Sequence, residues 1–346
     1  MDNLGEDVIG EILTRLPVKT LVGLKSVCKS WRSCISNPYF ASLQIRRNMA
    51  NPDYNDSFIA HYYHKGSPRV YNPGYHKLYV FNKNVLDKPI NLNLPLPTSN
   101  SPDRFDVVGS CNGLLCLSYL GKPRTTRQKR VYLWNPATGQ LKDIHINKQK
   151  IEYGVSLGFG FDCTSNDYKV VHIVSDKFRV VRVEVYSLNQ NSWKTIDHVE
   201  LEFRVVQPYA AVVRGLFYWL TCEKFGFVSF NVQSGKFSTT RLPDGINCHH
   251  IFELKESVAI STGYICDQGI GIWKLDDDRS WIKIRTIKND RVRAWFGCLN
   301  TGEYVGTGNG ELALCDHANK VIRYVTQLPK DALRTYNYSA SLVNLS

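Results

Sequence analysis

Side chains that could hold a metal or a phosphate group occur together at two places in the chain. The run Cys248-His249-His250 offers metal ligands, but adjacent residues in an extended segment point to alternate sides. No fourth ligand is apparent for a tetrahedral zinc site, so we expect no metal there. The glycines of Gly306-Thr307-Gly308-Asn309-Gly310 lack the helix that follows a phosphate-binding loop, and they predict a turn between strands.

Motifs for catalysis are missing from the sequence. It has no Gly-x-Ser-x-Gly nucleophile elbow and no zinc-protease helix motif, so we expect no catalytic residues, no metal and no cofactor. Ten cysteines are present, but none forms a Cys-x-x-Cys pair, and most lie in or beside apolar runs. Free cysteine behaves as a small hydrophobe, so this pattern favours buried, reduced thiols over a disulfide framework.

The most conspicuous charged segment is a predicted loop between strands at Leu114–Leu120 and Val131–Trp134. The chain carries 43 Lys and Arg against 31 Asp and Glu, a net charge of +12, which either matches an acidic partner or aids solubility. We expect the loop to contact an acidic patch on a protein substrate. The alternatives are a nuclear localisation signal or a solvated hairpin loop. The basic residues of this loop are Lys122, Arg124, Arg127, Lys129 and Arg130.

Two kinds of periodicity divide the chain. Residues 1–40 place apolar side chains at helical spacing and predict three helices, separated at Pro17 and ended at Asn37-Pro38. After about residue 50, short apolar and aromatic runs alternate with turn residues, which is an all-β pattern. We therefore predict an α+β multidomain protein, with a helical domain over 1–46 and a β domain over 50–346.

A repeat within the β half predicts its architecture. An apolar or aromatic residue, a polar turn and a second apolar residue about seven positions on recur at intervals of 41 to 53 residues. This period is typical of a β-propeller, and it indicates six blades. Pro136 sets φ for one of the turns, and Gly139 and Gly235 suit the left-handed position that closes a hairpin. The repeats begin at Phe81, Trp134, Tyr186, Phe230, Trp273 and Leu314.

The helical segment resembles the F-box of plant F-box proteins. The similarity begins at Leu4–Lys19, continues through Leu21–Arg32, and ends at Ile35–Phe40, with all parts in order. One departure is Gly5, where the family usually has proline. Because proline favours the first helical turn, Gly5 is expected to loosen the start of the first helix.

The β half resembles the plant F-box-associated domain, which is a kelch-like propeller. The similarity rests on Phe105–Cys116, on Trp134–Gly139, and on Gly158–Asp162 with Asp167–Val171. It implies the substrate receptor of an SCF-type ubiquitin ligase: a non-enzymatic subunit that binds a Skp-type adaptor, and through it the cullin and RING subunits, and presents a protein substrate for ubiquitination. Relatives include receptors that limit immune-receptor levels and S-locus F-box proteins, whose targets are stylar ribonucleases.

Part of the helical stripe must meet a partner, because a 40-residue unit is too small to bury all of it. By resemblance that partner is the Skp-type adaptor. The alternative is that the helices dock on the propeller. The predicted adaptor-binding residues are Leu4, Val8, Ile12, Leu13, Leu16, Pro17, Leu21, Leu24, Val27, Cys28, Trp31 and Ile35.

The same sequence bears on other possible functions and on the location of the protein in the cell. Net charge and 41 aromatic residues raise the possibility of a nucleic-acid-binding propeller, but strand aromatics at blade period are more simply core. Nothing places the acid, base or metal ligands of an oxidase-type enzyme on one rim. The chain has no run of 18 apolar residues, and its N-terminus is acidic where a signal peptide would be basic. We expect an intracellular protein of the cytoplasm or nucleus, without a membrane partner.

Overall fold

The fold was analysed in a computed structural model of the chain. A small helical domain precedes a ring of β-sheets. The residues that the structure describes are 6–50, 57–64, 75–95, 105–120, 129–146, 154–176, 179–197, 201, 205, 207–221, 226–246, 248–262, 269–288, 291–292, 294–300, 302–308, 311–316, 321–325 and 332–345.

Four helices form the N-terminal domain: α1 Glu6–Leu13, α2 Val18–Leu24, α3 Lys29–Ser36 and α4 Pro38–Ala50. Pro17 is the N-cap of α2, and Cys28 caps α3 by accepting a hydrogen bond from the Trp31 amide at its Sγ, at 3.5 Å. The predicted break at Asn37-Pro38 is present. A fourth helix, α4, which was not predicted, begins at the same place. Proline can end one helix and also occupy the first position of the next, so Pro38 allows both.

The β domain contains six four-stranded sheets in the part of the chain that the structure describes, so the six-bladed propeller is confirmed. Blade 1 has the order β24-β1-β2-β3, and blades 2 to 6 use β4 to β23 in groups of four along the chain. The strands are β1 Ser57–His64, β2 Tyr75–Asn82, β3 Val85–Leu92, β4 Phe105–Cys111, β5 Leu114–Leu120, β6 Lys129–Trp134, β7 Leu141–Ile144, β8 Gly154–Asp162, β9 Asp167–Ser175, β10 Val180–Ser187, β11 Ser192–Ile196, β12 Ala211–Val213, β13 Leu216–Leu220, β14 Phe227–Asn231, β15 Lys236–Thr240, β16 Cys248–Leu254, β17 Ser257–Thr262, β18 Ile270–Leu275, β19 Trp281–Ile287, β20 Ala294–Cys298, β21 Tyr304–Gly308, β22 Glu311–Cys315, β23 Val321–Val325 and β24 Ala332–Asn337.

Each predicted repeat corresponds to the hairpin between the third and fourth strands of a blade. In blade 2, Trp134 pairs with Leu141, and in blade 4, Phe230 pairs with Phe237. Gly139 and Gly235 have φ values of 76° and 67°, so both take the left-handed conformation that was predicted for them. The side chain of Asn135 accepts hydrogen bonds from the backbone amides of Ala137 and Thr138, which stabilises the turn after Trp134.

The hydrophobic core lies between neighbouring blades. One cluster joins blade 2 to blade 3 through Leu133 and Phe159, and equivalent clusters fill the other five seams. A single sheet cannot bury both of its faces, and stacking the blades in a ring achieves this. The ring closes in blade 1, where the C-terminal strand β24 pairs with the N-terminal strand β1.

The two ends of the blades form two rims, which differ in what they carry. In every blade, the turns after the first and third strands lie on one rim, and the connection after the second strand lies on the other, because all strand pairs are antiparallel. The residues after β24, from Tyr338 to Leu345, cross the first of these rims at blade 2 and reach the helical domain. We call this the F-box rim and the opposite one the distal rim.

Candidate functional site

The inner faces of the helices form a closed core with the C-terminal segment. Leu13, Leu21 and Ile35 are buried together with Leu342 from the far end of the chain. These three residues were predicted to contact the adaptor, but in this structure they are covered, and so they support the helical surface from within. Leu16, Leu24 and Trp31 are half-buried and pack against the same core.

The outer face of the helical domain carries apolar side chains that nothing in the described chain covers. Val8 and Ile12 are 47% and 50% exposed, and they lie one turn apart on α1, beside the stripe of Ile9 and Leu13 that enters the helical core. Val27 and Tyr39 are 61% and 68% exposed. Pro17 and Cys28, both predicted adaptor contacts, are also exposed, whereas Leu4 lies outside the described residues. The apolar stripe of α1 is therefore wider than its contact with the helical core, and one edge of the stripe stays exposed.

An ion network fixes the exposed face of α1 against α4. A single oxygen of Glu11, Oε1, accepts hydrogen bonds from Arg15 and Arg47, each at 3.0 Å. These two guanidinium groups lower the pKa of the Glu11 carboxyl. Arg47 also donates to the hydroxyl of Thr14. The network links α1 to α4, and because its side chains are largely exposed it adds little to the packing of Leu13 and its neighbours.

The C-terminal segment attaches the helical domain to the F-box rim. Asn135, which is fully buried, donates from Nδ2 to the backbone oxygens of Ser341 and Val343, at 3.1 and 2.9 Å. Leu345 is buried in the core between blades 2 and 3, and its backbone oxygen accepts a hydrogen bond from Lys142. Leu342, between these anchors, enters the helical core. The predicted alternative of docking on the propeller is thus present on the inner face, and the outer face stays available.

The predicted substrate loop connects strands β5 and β6 on the distal rim. Lys122, Arg124 and Arg127 lie outside the described residues, and Lys129 begins β6. Arg130 is exposed, and its guanidinium lies 3.9 Å from the Asp143 carboxylate on the neighbouring strand. The loop and the helical domain are therefore connected to opposite rims of the propeller.

The central channel of the propeller contains a carboxyl group with a raised pKa. Glu253, on the inner strand β16, lines a cavity of about 160 Å³ together with residues from the inner strands of the other blades. The side chain stays open to the channel, but the surrounding strands displace bulk water, and this desolvation raises the pKa of Glu253 to about 7, with repulsion from Glu256 adding to the shift.

A second polar cluster lies between blades 1 and 2, and sequence spacing gave no signal for it. His61 and His76 come from β1 and β2, and Asp106 comes from β4 in the next blade. Neither histidine stood out, because strands pair residues that lie far apart in the sequence. Among the described side chains, neither Cys248 nor His250 belongs to such a group.

The eight described cysteines are all free thiols. Three are buried, whereas Cys28 and Cys163 are exposed, so the prediction of buried thiols holds for only part of the set.

Together these features describe a small helical module with an exposed apolar surface, fixed to one rim of a six-bladed propeller. None of the four described helices has the length and apolarity needed to cross a bilayer. Residues 69–335 match the F-box associated beta propeller domain, and residues 1–43 match the F-box domain. The chain belongs to the family of plant F-box proteins with an F-box associated propeller.

Curated relatives agree with this assignment along most of the chain. A putative F-box protein of Arabidopsis thaliana is 25% identical over 96% of this chain and 87% of its own length. An F-box/LRR-repeat/kelch-repeat protein of the same plant is 25% identical over 83% of this chain and 77% of its own length. Among solved structures, TolB from Acinetobacter baumannii has a TM-score of 0.52 at 10% identity, covering 81% of this chain and 67% of that chain, which supports the fold alone.

Proposed function

We propose that this protein is the substrate receptor of an SCF-type ubiquitin ligase. The F-box binds a Skp-type adaptor, which links it to the cullin and RING subunits, and the propeller binds a protein target that becomes ubiquitinated. The observation that carries this proposal is the outer apolar face of α1, formed by Val8 and Ile12, in a domain that matches the F-box.

The energy available from this face is sufficient for a stable contact. Fully burying one aliphatic side chain contributes about 1.5–3 kcal/mol, and Val8, Ile12 and Val27 are each about half exposed or more. Adaptor residues that cover them, together with Pro17 and Cys28, would bury exposed surface on α1 and at the starts of α2 and α3. The half-buried Leu16, Leu24 and Trp31 extend the same surface toward the core.

The distal rim is the surface that we assign to the target. The helical module and the C-terminal segment occupy the F-box rim at blade 2, so an adaptor bound to α1 approaches from that side. Loops on a rigid scaffold suit recognition, and the distal rim carries the connection with five basic residues in nine positions. A target with an acidic patch fits this surface.

The receptor itself performs no chemistry in this proposal. Ubiquitin transfer takes place on partner subunits, and the receptor brings the target within their reach. By binding the adaptor and the target at the same time, the receptor raises the effective concentration of the target near the transfer site. This is its whole contribution to the rate of ubiquitin transfer.

Replacing Ile12 by glutamate tests the adaptor contact. A charge buried in an apolar interface is strongly unfavourable, so we expect adaptor affinity in co-purification or calorimetry to fall by about 100-fold or more. Ile284, which is 40% exposed on strand β19 of the propeller, offers a matched control, and Ile284→Glu is expected to bind the adaptor like the wild type. Equal adaptor affinity for both variants and the wild type would rule out α1 as the binding face.

A further inference from the structure

Three metal-binding side chains converge at the seam between blades 1 and 2. Nε2 of His61 lies 2.8 Å from Nδ1 of His76, and these nitrogens and a carboxylate oxygen of Asp106 all lie within 4.8 Å of one another. The two histidines share a face of blade 1, because His61 pairs with Leu78 and His76 lies two residues further along β2. Asp106 reaches the same point from β4 of blade 2.

The surrounding side chains hold these groups in place. The ring of Phe105 packs against both imidazoles, with centroid distances of 5.5 Å to His61 and 5.4 Å to His76. The buried hydroxyl of Tyr209 donates a hydrogen bond to Oδ2 of Asp106 at 2.7 Å. Supporting hydrogen bonds of this kind orient the ligands of metal sites and tune their affinity.

Opposite charges lie around these three side chains. Neutral imidazole nitrogen and ionised carboxylate are the forms that bind divalent metals. The nearby Arg334 opposes a cation, but its guanidinium stacks on the ring of Tyr209, 5.3 Å from the centroid, and Asp106 contributes the compensating negative charge.

We propose that His61, His76 and Asp106 bind a zinc ion that ties the N-terminal strands of the propeller to its second blade. Tetrahedral zinc with bonds of about 2.0–2.1 Å separates its ligand atoms by about 3.3 Å, so the two imidazole nitrogens, which lie 2.8 Å apart in the empty site, would have to separate by about 0.5 Å to share the ion. Two nitrogen donors favour zinc over calcium or magnesium, which take oxygen ligands. A water molecule completes the coordination, since the set supplies three protein ligands.

The competing explanation is a plain hydrogen bond between the two imidazoles. One nitrogen would donate and the other accept, which satisfies both without a metal. The two explanations differ in what happens when zinc is added, and in how substitution of the half-buried His76 changes that response.

The test is zinc binding by the full-length, tag-free chain after treatment with a strong chelator. Zn²⁺ is titrated in competition with a chromophoric chelator, and the melting temperature is followed in parallel. We expect one zinc ion per chain and a rise in melting temperature with zinc concentration, because a ligand that binds only the folded state stabilises it. Substitution by Co²⁺ should give a visible spectrum without the near-ultraviolet band of thiolate ligation, which separates this site from the cysteines.

Three variants and one control decide between the explanations. His76→Gln and Asp106→Asn should abolish stoichiometric binding, and Tyr209→Phe, which removes only a supporting hydrogen bond, should weaken it by about 10–100-fold. The matched control is His145→Gln. His145 lies 3.1 Å from Asp143, but it belongs to no group of three metal-binding side chains in the described chain. The His145→Gln variant should therefore bind zinc like the wild type. Absence of stoichiometric binding in the wild type, or binding that survives His76→Gln unchanged, would overturn the proposal.

Discussion

At the scale of single residues, the two faces of α1 should separate stability from binding. Leu13 is buried in the helical core, and Ile12 beside it points outward. Leu13→Ala is expected to cost about 2–5 kcal/mol through lost burial and the cavity left behind. Ile12→Ala is expected to change the free energy of unfolding by about 0.5 kcal/mol or less. Urea denaturation of the full chain measures both, and similar losses for the two variants would contradict the assignment of faces.

Glu253 makes the stability of the propeller depend on pH. Its pKa of about 7 in the folded chain exceeds the ordinary glutamate value of 4.5, so folding favours the protonated form. The stability contributed by the protonated carboxyl is fully present below about pH 4.5, and it is lost as the pH rises through 7. Glu253→Gln should therefore match the wild type near pH 4.5 and melt at a higher temperature at pH 8.

Melting curves recorded from pH 4.5 to 8 measure the difference in melting temperature between Glu253→Gln and the wild type. The variant Glu256→Gln, at an exposed residue, is measured beside them. Glu256 forms an ion pair with Arg214 at 2.8 Å and adds to the repulsion on Glu253. A melting-temperature difference between Glu253→Gln and the wild type that stays constant with pH would show that the Glu253 carboxyl titrates normally.

The sequence could predict which helical residues are apolar, but not which way each one faces. Val8 and Ile12 form one edge of the apolar stripe along α1, and Ile9 and Leu13 form the other. Both edges satisfy the helical period, so the choice of the buried edge depends on tertiary contacts. One of those contacts is Leu342, about 330 positions away in the chain, and no local pattern could reveal it.

At the scale of elements, the turn after β4 should matter more than an equivalent turn after β6. Gly113 and Gly139 both have positive φ, so alanine is strained at either position by about 1–2 kcal/mol. Nothing lies near a Cβ added at Gly139, whereas a Cβ at Gly113 would come within 2.6 Å of the Ser339 backbone oxygen and 2.5 Å of the Ser341 hydroxyl. Gly113→Ala should therefore destabilise the chain more than Gly139→Ala.

Hydrogen exchange shows where the difference arises. In Gly113→Ala, the amides of residues 339–345 should exchange faster, because the C-terminal segment is displaced from the F-box rim. In Gly139→Ala their exchange should stay at the wild-type rate. Equal exchange in the two variants would mean that Gly113 serves only its own turn and does not seat the segment.

Elements with a local signal could be predicted, and those defined by distant contacts could not. The turns after Trp134 and Phe230 contain glycines that only a left-handed position explains, and their hairpins are present as predicted. The fourth helix was not predicted, because Pro38 ends α3 and begins α4 at the same place. The C-terminal segment has no regular structure of its own, so its role depends on partners such as Asn135.

At the scale of the whole molecule, charge should govern how fast a target is captured. Residues 1–48 carry a net charge of +3, which leaves +9 of the total +12 on the rest of the chain. Reversing Arg127, Lys129 and Arg130 to Glu should slow association with an acidic target markedly at low salt and little at high salt, because salt screens long-range attraction. Stopped-flow or surface-based kinetics measure this rate.

A control with the same change in net charge isolates the loop. Lys194 and Lys236 are exposed on the outer strands of blades 3 and 4, and Lys255 is exposed in the turn after β16, which lies on the F-box rim. Reversing these three should slow association less than reversing the loop residues. Identical slowing by both triple variants would assign the effect to net charge alone, and an unchanged rate would remove the loop from target recognition.

The class of the whole molecule could be predicted from sequence, whereas its arrangement could not. Ordered F-box residues and a blade-length repeat were enough for the two domains and the six blades. The rim that carries the F-box depends on the C-terminal segment crossing blade 2, a contact without a sequence signature. In the proposed function, this contact leaves the distal rim available for the target.

Bridging of an adaptor and a target is tested most directly by affinity capture of the full chain from plant cells with the proteasome blocked, followed by quantitative mass spectrometry. The wild type should recover a Skp-type adaptor, cullin, a RING subunit and a target that carries ubiquitin. The Val8→Glu, Ile12→Glu double variant should lose the three ligase subunits and keep the target without ubiquitin, since the two surfaces lie on opposite rims. Recovery of the ligase subunits by the double variant at the wild-type level, with the target still ubiquitinated, would contradict the assignment.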